Sequence, residues 1–138
     1  QSDELSKALL HGHSYTGNPI ACAAANASFE ILMDKTCEES RNRINAQHTA
    51  FAAKLKESPS VENIRILGTI LAFDIKGHGT TTYDNEIRKK IFPYFLKKGI
   101  LLRPLGNVIY FMPPYIISNE QLEEVYTAVL GFVNQQAG

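Results

Sequence analysis

Residues 61–76 read VENIRILGTILAFDIK, and the reading of this run decides the fold. Its apolar residues recur with a period of two, β-branched side chains are dense, and Gly68 divides it into two short extended runs. Two adjacent strands, paired antiparallel, are predicted. Upstream the period lengthens: Ile44, His48, Phe51 and Leu55 fall on one face of a helix over about Glu38–Glu57, which should lie on the sheet. Before it, Asn18 followed by Pro19 marks a helix start, with a capping side chain and then a residue that has no N–H to leave unpaired. That helix runs to about Asp34, and its small residues ACAAANAS would let another backbone come close. Downstream, the loop GHGTTTYDN leads into a helix from about Asp84 to Lys98, with Pro93 inside it, where it should bend, and Gly99 closing it. ILLRP and VIYFMPP then read as two extended segments around the turn LGN. Ser118 opens the last helix with Gln121 at capping-box spacing, and Leu122, Val125, Val129 and Val133 form its apolar stripe. The predicted fold class is α+β, a small mostly antiparallel sheet with helices packed on one side.

The 138 residues, 44% of them apolar, are the size of one domain with a buried core. Fourteen Lys plus Arg balance fourteen Asp plus Glu, so no broad field would draw in nucleic acid or an anionic membrane. Small molecules and protein surfaces remain as partners. Cys22 and Cys37 form neither a CxxC nor two pairs, which argues against a disulfide framework and a zinc site and for a reduced, cytoplasmic setting. No apolar run approaches the roughly 20 residues that span a bilayer. The chain opens at QSDELSKALL, without Met, as though cut from something longer.

Chemistry concentrates in HGHSYTGNPIACAAANAS, residues 11–28. His11 and His13 could ligate a metal, yet three or four ligands are needed and His48 and His78 lie in other segments, so no metal is expected. His48 and His78 read as hydrogen-bonding surface residues. In GHSYTG, Gly12 and Gly17 allow unusual backbone angles, and Ser14 and Thr16 offer N–H and hydroxyl donors ahead of a helix start, which suits a phosphate as well as an ordinary loop. Arg103, in LLRPLGN, carries a planar fork matched to a carboxylate, although on the residues alone a surface ion pair is the commoner arrangement. Lys7, in LSKAL, would be an amine nucleophile if burial lowered its pKa; a solvated lysine near a terminus is more usual.

HGHSYTGNPIACAAANASFEIL and RPLGNVIYFMPPYII, taken together, resemble the class III, fold type I aminotransferases that depend on pyridoxal 5'-phosphate. The resemblance runs from His11 to about Phe132. GNPIAC is shared widely in that family, whereas RPLG and IYFMPPYII are similar to the members that convert 8-amino-7-oxononanoate to 7,8-diaminononanoate in biotin biosynthesis, with S-adenosylmethionine as amino donor. Lysine as donor would leave this segment the same. The resemblance implies the last third of a longer, homodimeric enzyme: residues 1–17 a tail and cofactor-phosphate turn belonging to a large domain, 18–36 a connecting helix, and 37–138 a C-terminal small domain. It implies that His13 and Ser14 hold the cofactor phosphate across the dimer interface, that Gly12 lines the substrate, and that Arg103 grips the substrate carboxylate. HSY stands where many members have Pro-Thr-Phe, and Leu105 where many have an aromatic residue. The family's cofactor-bearing lysine lies well before the HG turn, so Lys7, four residues from His11, does not match it. No catalytic residue is expected in these 138 residues, and this stretch alone should not transaminate. Another class III enzyme acting on ω-amino acids, or a non-catalytic α+β interaction domain, are the alternatives.

Overall fold

The computed structural model of the chain describes residues 12–77 and 85–136; Lys7, His11, His78 and nearly all of the loop GHGTTTYDN lie outside the described residues. It divides into two compact units, Gln1–Asp34 and Lys35–Gly138. Among its described residues the first holds the helix α1 (Pro19–Met33), started as its sequence demands: the Asn18 side chain accepts from the N–H groups of Ile20 and Ala21 at 3.0 and 3.1 Å. None of its residues is buried within the described residues, and its alanines favour the helix.

The second unit begins with α2 (Lys35–Leu55), which starts three residues earlier than Glu38. Ile44, His48, Phe51 and Leu55 are buried along one face, joined by Ala52. His48 is therefore no surface residue: helical spacing places it at 0% exposure, and the periodicity outweighs the usual habit of the side chain. Strands β1 (Val61–Leu67) and β2 (Ile70–Ile75) pair antiparallel from Val61 opposite Ile75 to Leu67 opposite Ile70. Gly68 sits at φ +56 in the turn between them, a conformation that glycine adopts without strain. The ladder shifts between Glu62 and Arg65, where Asn63 takes a φ of 50°. There the Asn63 side chain donates to Asp74 at 3.0 Å, and Arg65 donates to the Asn63 carbonyl and forms an ion pair with Asp74 at 2.8 Å.

The third strand, β3 (Val108–Phe111), pairs antiparallel with β2, giving the order β1-β2-β3. ILLRP forms no strand: Pro104 has no N–H to donate and the Leu102 N–H turns back onto the Ile100 carbonyl, and the isolated bridge beyond it, Leu105 to Val108, closes the turn LGN. The helix α3 (Arg88–Leu96) starts later than Asp84 and contains Pro93; Gly99, at φ +75, closes it, with Ile100 N–H donating to the Phe95 carbonyl. The last helix, α4 (Asn119–Gln135), has the full reciprocal capping box between Ser118 and Gln121. Leu71, Phe73 and Ile75 of β2 with Ile109 and Phe111 of β3 form the apolar face of the sheet, against which α2, α3 and α4 contribute Phe51, Ile91, Phe95, Val129 and Phe132. The unit is the α+β arrangement that the periodicities require.

Candidate functional site

Beyond Gly99 the chain runs out of α3 with alternating burial: Leu102, Pro104 and Gly106 are buried, while Leu101, Arg103 and Leu105 face out. This alternation, anchored by the bridge to β3, sends the Arg103 side chain to a groove of about 410 Å³. The groove runs between the Ile100–Arg103 stretch, the end of β3 with the prolines after it, and the first turns of α4. Arg103 is the one charged side chain among the described residues that line it; the hydroxyls of Tyr110 and Tyr126 are the polar side-chain groups beside it, and the rest of the lining is aliphatic, aromatic or proline. Arg103 makes no ion pair among the described residues, where the ion pairs include Arg65 with Asp74, Lys89 with Glu86 and Lys35 with Glu39. A single unpaired guanidinium against an apolar trough suits a molecule with an aliphatic body and one carboxylate end.

The back wall of the groove carries a buried polar pair. His48 Nε2 lies 3.1 Å from the Thr69 carbonyl and its Nδ1 lies 2.7 Å from the Tyr126 hydroxyl. Since a carbonyl only accepts, Nε2 carries the proton and Tyr126 O–H donates to Nδ1. Tyr126 also stacks on Phe51, ring centroids 4.1 Å apart. Burial lowers the His48 pKa, with the Thr69 carbonyl opposing in part, and burial followed by the charge of Glu123 pushes Tyr126 up to about 12. A histidine held neutral in the fold but free to charge when unfolded gives the unfolded state the greater proton uptake below its ordinary value of about 6.5. Stability contributed by His48 is thus fully present above that pH and declines as pH falls below it. Thermal midpoints measured from pH 8 to pH 5 should fall on the acid side, and His48→Gln, which cannot charge, should flatten that part of the curve. An unchanged acid slope in the variant would remove His48 as its cause.

In the first unit, the turn before α1 is closed by Thr16 N–H to the His13 carbonyl at 3.0 Å and by Asn18 N–H to the Tyr15 carbonyl at 3.1 Å. His13 N–H donates to Thr16 Oγ1, and His13 Nδ1 accepts from Tyr15 N–H. The first free amides of α1 are taken by Asn18. That leaves Ser14, exposed, with its N–H and hydroxyl unengaged among the described residues, a donor pair that fits a phosphate oxygen. Gly17 needs its glycine, at φ +73; a Cβ on Gly12 would meet nothing within 4 Å among the described residues. Among the described residues no group of three His, Cys, Asp or Glu could hold a metal ion, and no helix is long and apolar enough to cross a membrane.

Tyr110 and Tyr126 were not singled out by their sequence context. Tyr110 had a signal, since in the β3 run it alternates with the buried Ile109 and Phe111 and so must face the other way. Tyr126 falls in the buried stripe of α4, where a tyrosine reads as one more core residue.

The profile of the class III aminotransferases matches residues 2–131. The adenosylmethionine-8-amino-7-oxononanoate aminotransferase of Helicobacter pylori is 41% identical over 135 residues, covering 94% of this chain and 29% of its own length. That of Synechococcus elongatus is 36% identical, covering 92% of this chain and again 29% of its own length. Among solved structures, the ornithine delta-aminotransferase of Plasmodium falciparum superposes with a TM-score of 0.73 at 25% identity, over 90% of this chain and 30% of that one. The second unit is thus an α+β unit of the kind found in one part of such an aminotransferase structure. The chain belongs to the class III aminotransferase family. It spans less than a third of the length of the curated relatives it matches.

Proposed function

We propose that the chain is the C-terminal portion of a pyridoxal-phosphate-dependent aminotransferase that converts 8-amino-7-oxononanoate to 7,8-diaminononanoate, with S-adenosylmethionine as amino donor. The observation that carries this reading is Arg103: among the described residues it is the lone charge on an apolar groove and has no ion-pair partner, and it stands in a sequence 41% identical to an enzyme named for that substrate. The substrate is a long aliphatic chain ending in a carboxylate, so a guanidinium fork at one end and an apolar trough along the body complement it. In this reading Arg103 binds and orients the acid, while Leu101, Met112 and Pro113 exclude water from its methylenes. Tyr110 Oη adds a donor beside them. When bound, pyridoxal phosphate supplies the electron sink for transamination. Ser14 would hold its phosphate, with His13 shaping the turn and Gly12 leaving room for substrate. The turn serves the cofactor of a second subunit in a cytoplasmic homodimer, with 1–17 belonging to a large domain, 18–36 connecting, and 37–138 as the small domain.

The full-length enzyme tests this. Incubated with S-adenosylmethionine and 8-amino-7-oxononanoate, it should give 7,8-diaminononanoate by mass spectrometry, and lysine in place of S-adenosylmethionine tests the donor. Turnover of ornithine or an ω-amino acid with no turnover of the oxononanoate would overturn the substrate and leave only the family.

A further inference from the structure

Between β3 and α4 the chain passes through Met112–Ser118, with two consecutive prolines that have no N–H. Its internal backbone hydrogen bond is Ile117 N–H to the Pro114 carbonyl at 3.0 Å. Met112, Pro113, Pro114 and Ile117 of this segment form one wall of the groove faced by Arg103. So little local bonding does not fix a wall, and the additional bonds come from α2. Arg43 Nη2 donates to the Ile117 carbonyl at 2.5 Å, and Arg43 Nη1 donates to Asn119 Oδ1 at 2.7 Å. Gln47 Nε2 donates to the same Asn119 oxygen at 2.6 Å, and the Arg41 guanidinium lies 6.0 Å from the centre of the Tyr115 ring. Arg43 thus bridges the last residue of the wall and the first residue of α4 with one rigid fork, a geometry that a lysine ammonium cannot reproduce.

The helix beyond does not need this clasp to fold. The start of α4 is capped by Ser118 and Gln121, and the helix buries Leu122, Tyr126, Val129, Phe132 and Val133 on its own account. What the clasp determines is where the proline segment stands relative to Arg103. We infer that Arg43 is a positioning residue for the acid-binding groove, setting the separation between its proline wall and Arg103 so that an aliphatic carboxylate is held along its length. This rests on the reading of the groove as the acid site.

The test is steady-state kinetics on the full-length enzyme with both substrates varied. Arg43→Ala should raise KM for 8-amino-7-oxononanoate about tenfold with kcat held within about twofold, a split that marks lost ground-state binding. KM for S-adenosylmethionine should stay near the wild-type value. Arg43→Lys should recover only part of the loss, and Asn119→Ala, an exposed change that spares the Ile117 bond, should give a smaller rise of the same kind. Should Arg43→Ala fail to fold, the latter two variants carry the comparison. An unchanged acid KM in the variants that fold, or a fall in thermal midpoint with both substrates affected alike, would overturn the inference. Arg103→Ala run alongside separates the two readings. If it abolishes acid preference and the Arg43 and Asn119 variants keep the wild-type KM, the positioning role alone fails. If acid preference survives Arg103→Ala, the acid-grip reading fails, and this inference falls with it.

Discussion

Arg103→Ala in the full-length enzyme is expected to lower kcat/KM for 8-amino-7-oxononanoate by roughly one to two decades, since a hydrogen bond to a charged group contributes about 1.5–3 kcal/mol. The thermal midpoint should stay where it is, because Arg103 is exposed and no ion pair among the described residues depends on it. Arg103→Lys keeps a charge but loses the fork and should fall between the two. The decisive comparison uses an analogue in which a neutral amide replaces the carboxylate. The wild-type enzyme should discriminate strongly against it, whereas the Ala variant should treat acid and amide nearly alike. An acid-to-amide ratio that survives the substitution would mean that the guanidinium does not touch the carboxylate, and the site would have to be sought elsewhere in the longer enzyme.

A larger change, in stability, is expected from Phe73→Ala in the 138-residue chain. Phe73 sits in the central strand at 0% exposure, opposite Ile109 and with its ring centroid 6.3 Å from that of Phe111. Truncating a fully buried phenylalanine costs about 3–5 kcal/mol through lost burial and the cavity left behind. Against a total of about 5–15 kcal/mol for an ordinary domain, this removes a large share of the margin. Leu67→Ala, one strand over but 80% exposed, is the control and should cost less than about 0.5 kcal/mol. Urea denaturation monitored by far-ultraviolet circular dichroism, with the slope compared between variants, measures both. A loss below about 1 kcal/mol for Phe73→Ala would mean that the sheet is not the centre of the core.

The parts of this fold that could be read ahead are those written in neighbouring residues. β1, Gly68 and β2 form a local hairpin, so spacing and one turn residue suffice, and the cap of α4 is complete between Ser118 and Gln121. ILLRP was misread because alternation records which side of a chain is wet and not whether its amides meet another strand; Pro104 decides that. The same alternation nevertheless put Arg103 on the open side. His48 was assigned to a helical face by its spacing and to the surface by its residue type, and only the contacts with Thr69 and Tyr126 reconcile the two. The clasp from Arg43 to Ile117 joins residues 74 apart, and nothing local in RNRIN or YIISN announces it. The groove itself was not legible in the sequence, since its walls come from three separate stretches of the second unit.

The irregularity at Asn63 has a consequence for how the sheet ends. Among the described residues β1 is an outer strand, and an outer strand with a straight row of open amides and carbonyls invites another chain to add itself. Here the bulge turns that row out of line, Arg65 occupies the Asn63 carbonyl, and Glu62 and Arg65 place charges along the rim. The border is blunted against templating, so strand-by-strand growth into fibrils is discouraged at the place where a short apolar hairpin would otherwise be most exposed to it.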